Sequence, residues 1–591
     1  MKKRNNILFL LFVTMGMTGC NYMDELPYER SDAEDIFSSE ALYERPTTQA
    51  YSYLKGGMSR VDDAFLEAAT DNGTSVVYDS KIHTLAQGFA TSNTPVEECW
   101  KNSYKGIHQA LYAIENYRKY TLRLQNKTPE EIEQTKKTLI AELNALRAVF
   151  EFDLLRHYGG YPIIDKVYEL GSEEMRNIRR SSFADCVNHI IGLCDAAAAD
   201  LNVEPRGAAG GYGNMTKGAA LAIKAKTLVY AASPLYNQTT NTNPLLGYVG
   251  STDVTTKWQT AAKACADVIN LKKTNGQNKY TLNTDYEKLF IIQPNNNTEY
   301  IVTRNSVKAN GLEERQYPPA LSRQGENKGG GTVPSQEFVD AFTMADGSQF
   351  VRSTTTGAEQ YIGRDPRLYS TIVYNAATFG THGTIYTRRD PGDNNGLNTV
   401  VRGSTTTGYY LKKFLDLNVK FNGVQNPATA FHYYPIIRLA DVLLMYSEAM
   451  TLGYGIDTDP EGFGLTAKGA IEMVRRRAGF TTTDKFLEGV TTPEKMLEKI
   501  KQERRIELSF EEHRYFDLRR WLDAEQSLNQ NITGVEIQTI AGEDHYSYFT
   551  VDSRRSFSRH MYYHPIPLQE LRNSPNIEQN PGWKGKIKQY E

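Results

Sequence analysis

The stretch from residue 128 to residue 160 constrains the fold most. Thr128-Pro129-Glu130-Glu131 is a helix start, with a hydroxyl to cap, a proline in the first turn and a glutamate three residues after the cap. From there Leu139, Leu143, Leu146, Phe150 and Leu154 recur at helical spacing until Gly159-Gly160 stops the run. Other segments repeat the pattern. Glu97 to Tyr120 places Trp100, Tyr104, Ile107, Leu111 and Ile114 on one stripe, and Phe183, Val187, Ile190 and Cys194 mark a third helix. Lys217 to Ser233 is rich in alanine, whose small side chain lets helices approach closely, so this helix is expected at the centre. Further helices are expected over Trp258 to Leu271, Pro435 to Thr451 and Thr466 to Ala478. A long one is expected from Pro493 to Trp521, capped by Thr492. Successive helix pairs predict a helical-repeat architecture, although no repeat consensus of about 34 residues is visible.

Between about 280 and 430 the texture changes. Gly, Asn, Thr and Tyr dominate, with short alternating runs at Glu299 to Thr303 and Thr371 to Tyr374. These read as loops and short strands laid over the helical scaffold, so the fold class is mainly α with a loop-rich half. Long irregular segments in a compact protein usually carry function.

The chain has 591 residues and a formal net charge of −3, a near balance that gives no reason to expect nucleic acid as a partner. Lys2, Lys3 and Arg4 precede an apolar run from Ile7 to Val13. A spanning helix needs about 20 apolar residues, so this segment reads as a cleaved export signal over residues 1–19. Met17-Thr18-Gly19-Cys20 at its end resembles the lipobox of bacterial lipoproteins, by which Cys20 becomes the first mature residue and carries three acyl chains. Such an anchor holds a protein on a membrane essentially permanently. A polar tether, residues 20–30, follows. No later apolar run approaches spanning length, so the membrane is met only through the lipid.

Cys99, Cys186, Cys194 and Cys265 remain after lipidation. Cys186 and Cys194 lie on one expected helix about 12 Å apart, too far for a disulfide, and no pair has zinc-ligand spacing. Four buried thiols are expected.

No catalytic constellation stands out. Glu503, Glu507 and Glu511 form an acidic stripe at i, i+4 spacing, with Arg504, Arg505, His513, Arg514, Arg519 and Arg520 among them. Glycoside hydrolysis uses paired carboxylates, but they must flank a bond in a cleft, so a network of helix ion pairs is the preferred reading. There is no H-E-x-x-H pair, no G-x-S-x-G elbow and no phosphate-binding glycine loop. Asp457 to Gly462 imitates the first half of a calcium loop, but its twelfth position is Lys468 where a bidentate glutamate belongs, so an ordinary turn is expected. No metal or cofactor is expected.

Five stretches resemble the SusD/RagB family of outer-membrane nutrient-binding lipoproteins. Leu66 to Asp71 with Trp100, Tyr104 and Ile107 resembles the family's opening, and Glu142 to Ile163 its second helix. Thr216 to Pro234 resembles its alanine-rich helix, and Pro334 to Gly347 with Arg364-Asp365-Pro366-Arg367 its middle. The C-terminal half is similar through Tyr434 to Ala449, Arg475 to Phe480, Glu503 to Trp521 and Pro565 to Trp583. The resemblance implies tetratricopeptide-like helix pairs and a variable, loop-rich half. On it the chain divides into an N-terminal helical region (31–240), a helix with variable loops (241–330) and a C-terminal region (331–591). It also implies a partner, a TonB-dependent outer-membrane barrel of the SusC type, on which the lipoprotein sits as a hinged lid facing the cell exterior. It captures oligosaccharides, or in some members peptides, for import, without turnover. Asp24 and Glu25 fit loosely the surface-export signal of such proteins.

Sugars are held by an aromatic face plus polar groups that reach hydroxyls. Trp100, Trp258, Trp521 and Trp583 match framework positions and are expected in the core, Trp100 alone near the site. By the same resemblance the ligand surface comes from the segment before the first long helix and from the central loops. Those stretches hold Tyr78, His83, Phe89 and Asn93, then Arg315, Tyr317 and Arg323, the two arginines hinting at an acidic sugar. Two other readings stay open: a surface glycan-degrading enzyme, which needs converging carboxylates, and a peptide-binding or structural helical-repeat protein of the same complex.

Overall fold

The computed structural model describes residues 32–207, 212–250, 252–292, 297–305, 308–322, 329–352, 357–390, 393, 395–397 and 403–583. The export signal, Cys20 and Arg323 lie outside the described residues.

The scaffold is an array of helices, each packed against the next along the chain. Helix α1 is Cys99–Lys119, α2 Pro129–Tyr158, α3 Phe183–Asp200, α4 Lys217–Ala232 and α5 Val254–Ile269. Local chemistry sets their ends. Thr128 accepts from the Glu131 amide while the Glu131 carboxylate accepts from the Thr128 amide, closing a capping box at the start of α2. Gly159 ends α2 at φ 76°, a conformation that costs glycine nothing. Gly106 on α1 faces the Phe150 ring of α2, and a Cβ there would lie 2.5 Å from that ring, so these helices approach where glycine leaves room. Helix α4 is the centre of the array, its alanines buried between α3 and α5.

The second half departs from two expectations. Pro435 to Thr451 is not one helix. Tyr434–Arg438 is a strand, antiparallel to Tyr300–Arg304, and α6 begins at Leu439 and runs to Gly453. After α7 (Ala467–Arg477), the expected long helix breaks in two, α8 (Pro493–Glu507) and α9 (His513–Arg520). Phe510 and Glu512 between them take positive φ (59° and 66°), which no helix tolerates. The break turns Glu511 away from the line of α8, and the Glu511 carboxylate meets Lys413 Nζ at 2.7 Å and Arg438.

Two apolar clusters organise the molecule. One runs through the helix array. The other gathers Tyr317, Phe338, Phe379, Tyr409 and Phe414 from the loop-rich half around Phe65 of the N-terminal region. Short antiparallel pairs tie segments far apart in sequence, such as Gly73–Ser75 with Thr332–Pro334, and Ile532–Ile540 forms a hairpin with Glu543–Asp552. All four cysteines named above are free and buried. Trp100, Trp258 and Trp521 are buried, and Trp583 is half-buried with its Nε1 donating to the Tyr563 carbonyl.

Candidate functional site

The candidate ligand surface is built where the strand Gly73–Ser75 ends. The Val76 amide donates to the Gly331 carbonyl, fixing the exit of the chain. The Val77 carbonyl then accepts from the Ser80 amide and from His83 Nε2 at 3.0 Å. A carbonyl only accepts, so the His83 proton sits on Nε2, and burial pushes this histidine's pKa down, keeping it neutral. Ser80 caps the short helix Lys81–Ala86, and the Lys81 amide donates to the Asp62 carboxylate.

Tyr78 and Phe89 bracket that helix. Their rings are 86% and 67% exposed, two large apolar faces offered to solvent at the ends of one held segment. The backbone beneath them is fixed: the Phe89 amide donates to the Thr84 carbonyl, and the Ser556 amide to the Ala86 carbonyl. Asn93 is exposed in the next turn, which a Thr91–Thr94 hydroxyl pair closes. Tyr78, His83, Phe89 and Asn93 therefore belong to one short stretch with a rigid base. Aromatic faces beside amide, imidazole and hydroxyl groups suit a polyhydroxylated ligand.

The central-loop candidates differ. Tyr317 is a packing residue. It is fully buried, its hydroxyl donates to the Asp416 carbonyl at 2.6 Å, and its ring lies edge-on to Phe379, His382 and Phe421. It presents no face to a ligand. Its sequence context, polar and proline-rich, hid a burial that only the second apolar cluster creates. Arg315 is half-buried with Nε 3.6 Å from the Asp63 carboxylate, so its charge is already opposed. Trp100 packs against Tyr104 and Tyr158 inside the array and offers no exposed face.

The acidic stripe is structural. Glu507 accepts from Arg367 at 2.9 Å and Arg438 at 2.7 Å, and Glu503 from Arg475 at 2.9 Å, all buried. Burial alone raises the Glu507 pKa, but Arg477, Arg438 and Arg367 outweigh it and hold the carboxyl well below the usual range. A carboxylate so held has no proton to give a leaving group. The partners come from other elements, so the stripe is a clamp between segments and not a set of pairs along one helix. Beside it, Arg504 bridges Asp517 and Asp441, and Arg520 grips Glu448 in a two-bond fork at 2.7 Å.

One buried cluster has the composition of a metal site: Glu97, His157 and His564, with one ligand atom from each within 4.8 Å of the others. Its hydrogen bonds argue for another role. His157 Nδ1 donates to the Asp153 carbonyl at 2.6 Å and Nε2 donates to Glu97 at 3.0 Å, so both ring nitrogens carry protons. Glu97 is held ionised by Arg60, and His564 Nε2 pairs with the Tyr515 hydroxyl. These are the partners of an imidazolium, not of a ligand with a free lone pair. The calcium-like turn also closes on itself. Asp459 accepts from the Phe463 and Gly464 amides, and Lys468 Nζ stands 3.0 Å from Asp457 where a cation would be needed. Among the described residues no helix is long and apolar enough to cross a membrane.

Comparison with known proteins agrees with this architecture. Residues 292–583 match the model of the SusD family, and residues 21–229 match a model described as starch-binding associating with outer membrane. A SusD-like protein, P25, of Formosa agariphila is 23% identical, with 97% of each chain covered. Among solved structures, a SusD-like protein from Bacteroides fragilis superposes with TM-score 0.72 at 24% identity, covering 94% of this chain and 99% of that one. A SusD-like carbohydrate-binding protein from the same organism gives 0.69 at 23% identity, covering 92% and 100%. A laminarin-binding SusD-like protein gives 0.63 at 20%, also covering 92% and 100%. With helix array, loop-rich half and both family models in chain order, this chain belongs to the SusD/RagB family.

Proposed function

We propose that this chain is a surface lipoprotein of the outer membrane that captures an oligosaccharide and delivers it, as a lid, to a TonB-dependent barrel of the SusC type. The observation that carries the binding half is the pair of exposed rings, Tyr78 and Phe89, flanking a short helix whose backbone is held at both ends. The rings take the apolar faces of sugar units and Asn93 reaches hydroxyls, while His83, bonded through Nε2 to the Val77 carbonyl, holds the segment in place. Arg315, held against Asp63, is a contact at the edge at most. The anchor is the acylated Cys20, and delivery follows from family membership. Capture occurs without turnover: Glu503 and Glu507 of α8, the paired carboxylates of the stripe, are held by arginines.

The test is native gel electrophoresis of the full-length protein in detergent, through gels containing individual polysaccharides, with the sugars then examined for cleavage. Retardation by at least one glycan, lost on combining Tyr78→Ala with Phe89→Ala and accompanied by no fragments, is the expected result. Fragments would make the protein an enzyme. Retention of full binding in the double variant would move the site elsewhere.

A further inference from the structure

A second cleft, which shares no lining residue with the Tyr78–Phe89 stretch, lies between the loop that follows α4 and the C-terminal segment. Its volume is about 410 Å³, within the range of small-ligand sites. The floor is apolar, formed by Leu235, Leu246, Leu522 and the rings of Tyr562 and Tyr563. One wall is built to be rigid. Asn237 Nδ2 donates to the Ala231 and Ser233 carbonyls, Asn241 Oδ1 accepts from the Asn243 amide, and Asn243 Oδ1 accepts from the Leu245 amide. That leaves the Asn243 NH2 group and the exposed hydroxyls of Thr240 and Thr242 as hydrogen-bonding groups along the wall.

The opposite wall carries the charge. Arg559 donates through Nη2 to Gln238 Oε1 at 2.9 Å, a neutral partner, and among the described residues no carboxylate pairs with it. Among the described residues no Asp or Glu lines the cleft, so no carboxylate there opposes the guanidinium that faces it. Beside it His560 packs edge-on against Trp583 at 4.5 Å, and burial lowers its pKa, leaving a neutral ring. Gly582 (φ 82°) lets the chain pass this histidine, since a Cβ would fall 2.5 Å from His560 Cβ. Asn580 holds the end of the cleft in place, its Nδ2 donating to the Tyr158 and His564 carbonyls.

We propose that this cleft binds a hexuronic acid unit, a pyranose whose carboxylate pairs with Arg559 and whose apolar face lies on the half-buried Leu246 and Leu522, with hydroxyls reaching Thr240, Thr242 and Asn243. A carboxylate and a guanidinium fork form charge-assisted hydrogen bonds, and the apolar floor takes the face of the ring. The site uses none of the residues of the Tyr78–Phe89 platform and stands whether or not that platform holds a glycan.

The experiment is calorimetric titration of the full-length protein in detergent with galacturonate, glucuronate, galactose and glucose. Saturable binding of at least one uronate is expected, about tenfold or more tighter than its neutral parent sugar. Arg559→Ala should abolish that preference, Arg559→Lys should weaken it, and the Tyr78→Ala, Phe89→Ala double variant should leave it intact. Arg559 is exposed, so its replacement leaves the core alone. Absence of saturable uronate binding overturns the proposal, as does equal binding of neutral sugars or binding unchanged in Arg559→Ala. Failure of the platform reading looks different: no polysaccharide retards the protein in gels, while uronate binding persists.

Discussion

His157 on α2 donates a proton-bearing Nε2 to the Glu97 carboxylate at 3.0 Å while its Nδ1 donates to the Asp153 carbonyl, making a buried imidazolium at the root of α1. Burial opposes that charge. The Cys99 sulfur and the Glu97 carboxylate outweigh it and push the histidine up to about 10. An unfolded histidine titrates near 6.5, so the folded state binds the extra proton. The stabilisation is complete below about pH 6.5 and lost as pH rises toward about 10, a contribution on the order of 5 kcal/mol. Urea unfolding at pH 6 and pH 9 should show the wild-type protein losing more stability over that interval than His157→Gln. Parallel losses in the two proteins would remove the imidazolium assignment.

Three carboxylates converge on Arg438, Glu299 at 2.6 Å, Glu507 at 2.7 Å and Glu511 at 2.7 Å, all inside the protein. Arg438→Met leaves these charges short of a partner and should cost about 3–5 kcal/mol or prevent folding. Arg438→Lys keeps the charge but not the planar fork, and should recover only part of the loss. Denaturant midpoints of the two variants measure the difference; equal midpoints would mean that charge alone matters here.

Tyr78→Ala should alter stability by less than about 0.5 kcal/mol, because the ring rests on little. It should still weaken glycan retardation in gels. Tyr317→Phe should do the reverse. Loss of the hydroxyl bond to the Asp416 carbonyl costs about 1 kcal/mol, with glycan mobility unchanged. A binding defect in Tyr317→Phe with normal stability would reverse the assignment of these two tyrosines.

Gly106→Ala should destabilise by about 1–3 kcal/mol, since its methyl group enters the Phe150 ring across the α1–α2 contact. Pairing it with Phe150→Leu should restore part of that. Thermal unfolding of the single and double variants reads the coupling directly, and simple additivity would mean that the ring moves aside freely.

Calcium and EDTA should leave the thermal unfolding midpoint unchanged where residues 457–468 are concerned, because Lys468 already sits against Asp457. A calcium-dependent rise abolished by Asp457→Ala would overturn that.

The sequence by itself determined the parts of this protein whose physics is local. Thr128, Pro129 and Glu131 act within one turn, and the Leu139-to-Leu154 stripe is a property of helical period, so α2 was legible from start to stop. The same holds for the alanine-rich α4 and for the four thiols that lie on apolar faces. Family resemblance pointed to the Tyr78–Asn93 stretch, but ring exposure could not be read from spacing. Tertiary structure decided whatever depends on distant partners. Arg367 meets Glu507 across 140 residues, which made an apparent helical stripe into a clamp between segments. Tyr317 looked like a loop platform until Phe379 and Phe421 closed over it. The helix expected through Trp521 breaks at Phe510 and Glu512, where periodicity continues but Lys413 and Arg438 pull Glu511 inward. A buried charge is stable only beside its counter-charge, and which segment brings that counter-charge is settled by folding in three dimensions.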